Sequence, residues 1–110
     1  MALTIDHLHQ PHERAAHLAF TGDLDSDGGG IARRTLRSLI AAGRVDISVN
    51  LDGVGFLDSA GLAALIASLR LARERGGEVR VETSNARIRR ILEITSLGKV
   101  FKLQQTDRAA

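Results

Sequence analysis

The stretch Val45-Asp46-Ile47-Ser48-Val49-Asn50-Leu51-Asp52-Gly53-Val54-Gly55-Phe56-Leu57-Asp58-Ser59-Ala60-Gly61-Leu62 decides the fold of this chain. In its first half Val45, Ile47, Val49 and Leu51 alternate with Asp46, Ser48, Asn50 and Asp52. Successive side chains point to opposite faces of a strand, so this pattern predicts a strand with one buried and one wet face. A further apolar run ends at Leu57, and Asp58 and Ser59 follow at once. Leu62, Leu65, Ile66 and Leu69 then recur at the spacing of a single helix face. The stretch reads as strand, loop and helix, with a serine at the helix mouth. A hydroxyl there sits among unpaired backbone N–H groups at the positive end of a helix dipole. The place suits a silent helix cap, supplied by Asp58 or Ser59, or a residue that carries phosphate.

Upstream, Leu3 to His9 and Ala15 to Phe20 flank the turn-like Gln10-Pro11-His12-Glu13 and read as a hairpin. Thr21-Gly22-Asp23-Leu24-Asp25-Ser26-Asp27 reads as a polar loop rich in capping residues. Ile31, Leu36, Leu39 and Ile40 mark the buried stripe of a helix that ends near Gly43. Downstream, Gly76-Gly77 stops the central helix, and Val79 and Val81 mark a short strand. Ile88, Ile91 and Leu92 mark a third helix, and Val100, Phe101 and Leu103 a candidate last strand. The order is β-β-α-β-α-β-α, with that final strand in addition. Strands covered on both sides would be apolar throughout, whereas these are two-faced. The expectation is therefore an α/β two-layer sandwich: a mixed four- to five-stranded sheet with helices mainly on one face and right-handed crossovers.

At 110 residues, with 44% hydrophobic and 25% charged, the chain reads as one domain, residues 1–110, with a single modest core. It has no cysteine, which excludes disulfides and cysteine-based zinc sites. No apolar run approaches the roughly 20 residues of a membrane span. The start, Met1-Ala2-Leu3-Thr4-Ile5-Asp6, does not resemble a signal peptide. A soluble, cytoplasmic protein is expected. The pI is near 9.9 although the net charge is only +2. Arginine supplies 13 of the 15 basic residues, and its high pKa sets that value. The arginines fall in separate groups on three helices, and Phe20, Phe56 and Phe101 are the only aromatics, so no nucleic-acid partner is expected.

Other motifs dissolve on inspection. Asp23-Leu24-Asp25-Ser26-Asp27-Gly28 begins like a calcium loop, but Arg34 stands where the bidentate glutamate belongs. Gly28-Gly29-Gly30 lacks the residues of a phosphate loop and reads as a loose helix entry. His7, His9, His12 and His17 all fall in the hairpin, with His7 and His9 on one strand face, which gives a weak metal signal and no base for Ser59. No metal and no enzymatic site is expected.

The joint resembles that of a STAS domain, and within that group a bacterial anti-sigma factor antagonist (anti-anti-sigma factor). Thr21-Gly22-Asp23-Leu24-Asp25, Val49 through Leu62, Gly76-Gly77-Glu78-Val79 and Arg89-Arg90-Ile91-Leu92-Glu93-Ile94-Thr95-Ser96-Leu97 carry the resemblance, in order and along almost the whole chain. It implies a STAS-like sandwich and a phospho-switch, with Ser59 as the phosphorylation site. The implied partners are an anti-sigma factor that is also a serine kinase, and a phosphatase that resets the switch. The unphosphorylated form would bind the kinase and free a sigma factor. The implied contact residues are Asp23, Asp25, Gly55, Phe56, Asp58, Ser59, Ala60, Gly61 and Leu62, with Gly53 to Leu57 as a loop. The family often carries a second hydroxyl where this chain has Ala60. No cofactor is expected. The alternative within the same resemblance is a constitutive STAS adaptor of a lipid-transport or stress-sensing complex, in which Ser59 is only a cap or a contact.

Overall fold

A computed structural model describes residues 1–10 and 12–106. Strands β1 (Thr4–Leu8) and β2 (Ala15–Leu24) form the expected antiparallel hairpin, from Thr4 opposite Thr21 to Leu8 opposite His17. In the turn between them the Ala15 N–H donates to the His12 carbonyl at 3.1 Å; Pro11 lies outside the described residues. Helix α1 (Ser26–Ala41) leads to β3 (Asp46–Leu57), α2 (Ser59–Glu74) to β4 (Glu78–Glu82), and α3 (Ala86–Ile94) and the one-turn α4 (Leu97–Val100) follow. The sheet order is β1-β2-β3-β4, with β2, β3 and β4 parallel and β1 antiparallel at one edge.

The alternation does what the sequence predicts. Leu18, Phe20, Ile47, Val49, Leu51, Val79 and Val81 are buried, and α1 and α2 pack against each other and on the sheet. The residues between them on the other face, such as His17, Ser48, Asn50, Arg80 and Glu82, are half-buried. There His17 Nε2 and Glu82 Oε1 lie 2.6 Å apart across β3. The helix stripes close the core through Leu36 and Ile40, Leu65 and Leu69, and Ile88 and Leu92.

Three local expectations change. Thr21 to Leu24 is strand, not loop: β2 continues alongside β3, with register shifts at Ala19/Thr21 and Gly22/Asp23 and with Gly22 at φ 112°. Likewise Gly53 to Leu57 extends β3, because β2 pairs with it as far as Leu24 opposite Leu57. The last strand is reduced to a single bridge between Glu82 and Gln104. Val100 instead ends α4, Phe101 caps it and is fully buried, and Lys102 turns the chain at φ 50°. The apolar residues there were a core anchor rather than a strand pattern.

Candidate functional site

The parallel strands β2 and β3 finish side by side, and each passes the chain to a helix through an aspartate. Asp25 caps α1 and accepts the Gly28 N–H at 2.8 Å. Asp58 caps α2 and accepts the Gly61 N–H at 3.0 Å, and its own N–H reaches the Leu24 carbonyl at 3.4 Å. The two helix starts lie against one another, since a Cβ at Gly29 would stand 3.2 Å from the Ala60 carbonyl oxygen and 3.3 Å from Ala64 Cβ. A Cβ at Gly28 would run into the Asp23 carbonyl oxygen, and one at Gly61 into that of Leu24. The Gly28 position is therefore a close approach of backbones, not a loose helix entry.

This geometry resolves which residue caps α2. Asp58 does so, leaving Ser59 as the first helical residue, exposed, with no hydrogen bond from its hydroxyl among the described residues. Its Oγ stands at the positive end of α2, beside the similarly oriented start of α1. Phe56 is 52% exposed and Gly55 is exposed, while Ala60 and Leu62 are half-buried and Gly61 is buried under the helix start. Asp23 and Asp25 come to the same end of the molecule through β2. The structure thus gathers all nine sequence-derived positions in one place, and Gly61 serves there as a packing position.

Asp23 Oδ2 pairs with the Met1 ammonium at 2.6 Å. The hydrogen bond to Asp23, and next its charge, raise the pKa of that amine. With Asp25, Asp27 and Asp58 this end is rich in carboxylates, and Asp25 is engaged in capping. Among the described residues no cluster of three or more histidine or acidic side chains is arranged to hold a metal. His7 is exposed on β1, His9 lies beyond its end, and none of the four histidines hydrogen-bonds Ser59.

Three residues the sequence reading passed over hold the surface in shape. The Arg87 guanidinium donates to the Gly55 carbonyl at 3.2 Å. Asn85 caps α3 through the Arg87 and Ile88 N–H groups, and its amide reaches the Val54 carbonyl at 3.5 Å. Asp52 Oδ1 accepts from the Ser84 N–H at 2.7 Å and from the hydroxyls of Thr83, Ser84 and Thr106. Asn85 was findable as a favoured capping residue before a helical stripe. Asp52 looked like any wet-face residue of a strand, and nothing local marked Arg87.

Comparison with known proteins follows the same line. An anti-sigma-B factor antagonist of Bacillus subtilis (strain 168) is 24% identical over 92 residues, 84% of each chain. A solved anti-sigma factor antagonist from Mycobacterium paratuberculosis superposes with a TM-score of 0.77 at 24% identity, covering 94% of this chain and 87% of that one. The Bacillus protein SpoIIAA matches at 17% identity in an unphosphorylated and in a phosphorylated form. Its unphosphorylated form gives a TM-score of 0.79 over 97% of this chain and 90% of that one. Its phosphorylated form gives 0.72 over 97% and 93%. A family model described as "Mlab, STAS domain" matches residues 8–105, and by that match the chain belongs to the STAS family.

Proposed function

We propose that this chain is an anti-sigma factor antagonist. Its unphosphorylated form binds an anti-sigma factor that is also a serine kinase and so releases a sigma factor. Phosphorylation of Ser59 ends that binding, and a phosphatase restores it. The protein works by binding in the cytoplasm rather than by catalysis, and ATP belongs to the kinase. The observation that carries this reading is the exposed Ser59 hydroxyl, left unused because Asp58 caps the helix. The similarity to antagonists, including one solved in a phosphorylated form, supports it.

The electrostatics make the switch local. Phosphate adds about −1.5 to −2 charges and three acceptor oxygens. At a helix N-terminus the fold tolerates an anion, because free N–H groups and the dipole favour it. The cost falls on the partner. A surface shaped to a small hydroxyl, with Phe56 as its apolar anchor, meets bulk and added repulsion beside Asp58. A loss of about 3 kcal/mol weakens binding roughly a hundredfold.

Incubation with ATP and the anti-sigma kinase encoded in the same genome, followed by peptide mass spectrometry, is expected to place phosphate on Ser59. Ser59→Ala should keep partner binding and block modification. Parent-like affinity of Ser59→Asp for the kinase would refute the charge mechanism. The second reading is a non-phosphorylated STAS adaptor of a lipid-transport or stress-sensing complex. The family description, which names Mlab rather than an antagonist, and Ala60 in place of a second hydroxyl favour it. Absence of Ser59 phosphate together with stable, ATP-independent complex formation would select it.

A further inference from the structure

The far half of the α1–α2 layer carries a second surface, unlike the Ser59 end in charge. The two helices leave a groove of about 470 Å³ along their outer face, floored by Ile40, Ala41, Ala67 and Leu71. A smaller pocket lined by Arg33, Arg37, Ala67, Ser68 and Leu71 continues it toward the middle of the helices. Arg33, Arg37, Arg70 and Arg75 rim this surface, all exposed, against the single carboxylate of Glu74. None of the four side chains makes an ion pair or hydrogen bond among the described residues. Four other arginines are tethered: Arg44 to the His12 and Ala15 carbonyls, Arg73 to Glu78, Arg87 to the Gly55 carbonyl, Arg89 to the Thr83 carbonyl. Arg14, Arg34, Arg80 and Arg90 have no side-chain partner among the described residues either, but they are spread over the hairpin turn, α1, β4 and α3. The groove thus gathers four uncommitted positive charges on one surface, a local excess that the net charge of +2 conceals.

We propose that this groove docks an acidic amphipathic segment of a protein partner. Such a segment would lay apolar side chains on Leu71 and Ala67 and offer carboxylates to the four guanidiniums. Arginine is suited to that occupant, because its planar fork takes a carboxylate in two parallel hydrogen bonds and is weakly hydrated. Charge complementarity selects the sign of the partner and speeds its encounter. A membrane fits less well. Peripheral helices insert large apolar side chains among the headgroups, and the exposed large apolar residues here, Met1, Leu8, Phe56 and Ile94, all lie off this groove. The groove lies on the outer face toward the C-terminal ends of the helices, whereas Ser59 opens α2, so both surfaces can be occupied together.

The test uses a fluorescein-labelled amphipathic peptide with a glutamate face and a leucine face, and its glutamine counterpart, read by anisotropy and by amide chemical-shift mapping on the full chain. The glutamate peptide is expected to bind at low salt, to shift amides of residues 33–41 and 67–75, and to weaken as salt screens the charges. Arg37→Glu/Arg70→Glu should lower its affinity at least about tenfold, while Arg14→Glu/Arg90→Glu, with the same change in net charge, should not. If the reversal variant unfolds, Arg37→Ala/Arg70→Ala serves, with a smaller loss in the same direction. No peptide binding, equal binding of the glutamine peptide, or shifts centred on Arg89, Lys99 and Lys102 would overturn the proposal. So would groove-dependent binding to phosphatidylserine vesicles in place of the peptide, or groove-dependent self-association by light scattering. Ser59→Asp should leave peptide binding unchanged, so failure here and failure of the antagonist reading are separable.

Discussion

Asp25-Ser26-Asp27-Gly28 and Asp58-Ser59-Ala60-Gly61 are two versions of one joint. In each, an aspartate at the end of a parallel strand caps a helix by accepting the N–H of a glycine three residues on. Each glycine faces a carbonyl oxygen of β2, of Asp23 or of Leu24, and each serine is the exposed first residue of its helix. The surroundings differ. Asp27 follows the first serine and Ala60 the second. Two residues before Asp58 the chain exposes Phe56, whereas two residues before Asp25 it holds Asp23, paired with the Met1 ammonium. The aspartate–glycine cap is thus a device of the fold, repeated wherever β2 or β3 hands over to a helix. What singles out Ser59 is the exposed Phe56 three residues before it and the uncharged Ala60 directly after it.

The shared joint is most exposed to substitution at its glycines. Gly28→Ala and Gly61→Ala should each cost about 3 kcal/mol of unfolding free energy, because the methyl group meets backbone that cannot step aside. Gly30→Ala, whose nearest neighbour would be the mobile tip of Arg34 at 3.5 Å, should stabilise by about 0.5–1 kcal/mol. Urea denaturation of the three variants checks this, and equal effects would mean that the joints are looser than described. At the serines, Ser59→Asp should weaken kinase binding roughly a hundredfold, while Ser26→Asp, in a setting already acidic, should change it by less than about threefold. Titration calorimetry separates the two. Removing either cap, Asp25→Ala or Asp58→Ala, should destabilise by about 1 kcal/mol.

The smallest effect lies away from both joints and shows what they do not control. Burial alone would raise the pKa of Glu78, but hydrogen bonds from Arg73 and Lys102 and the charges of both outweigh it, and the pKa is lowered from 4.5. A carboxylate held lower when folded adds stability above its unfolded pKa and loses it as pH falls through the folded one. Stability should therefore decline below about pH 4.5, and Glu78→Gln should flatten that part of the profile without altering either helix start.

The core and the layer order were legible because periodicity carries them: alternate residues of β3 and β4, and stripes on three helices, each had one buried face. The ends of β2 and β3 were not. Thr21 to Leu24 mixes glycine with polar residues and Gly53 to Leu57 is broken by two glycines, and they are strands because they pair with each other, which no local window contains. The same holds for the candidate site. Ser59 was visible from its place before a helical stripe, and the resemblance picked out its neighbours. The division of labour between Asp58 and Ser59 needed the hydrogen bond to Gly61. Arg87 and Asn85 act through carbonyls of β3 about 30 residues away, and backbone carbonyls leave no mark on a sequence.

Asp52 bears on how the molecule comes apart. A single oxygen atom gathers Thr83, Ser84 and Thr106 onto the middle of β3. Segments distant along the chain must then open as one cooperative unit rather than fray from the tail inward. Losing that carboxylate would split the unit, and the start of α3, with Asn85 and Arg87, would swing independently of Phe56 and Ser59. The rigidity of the face offered to another protein is thereby set by a residue that never touches it.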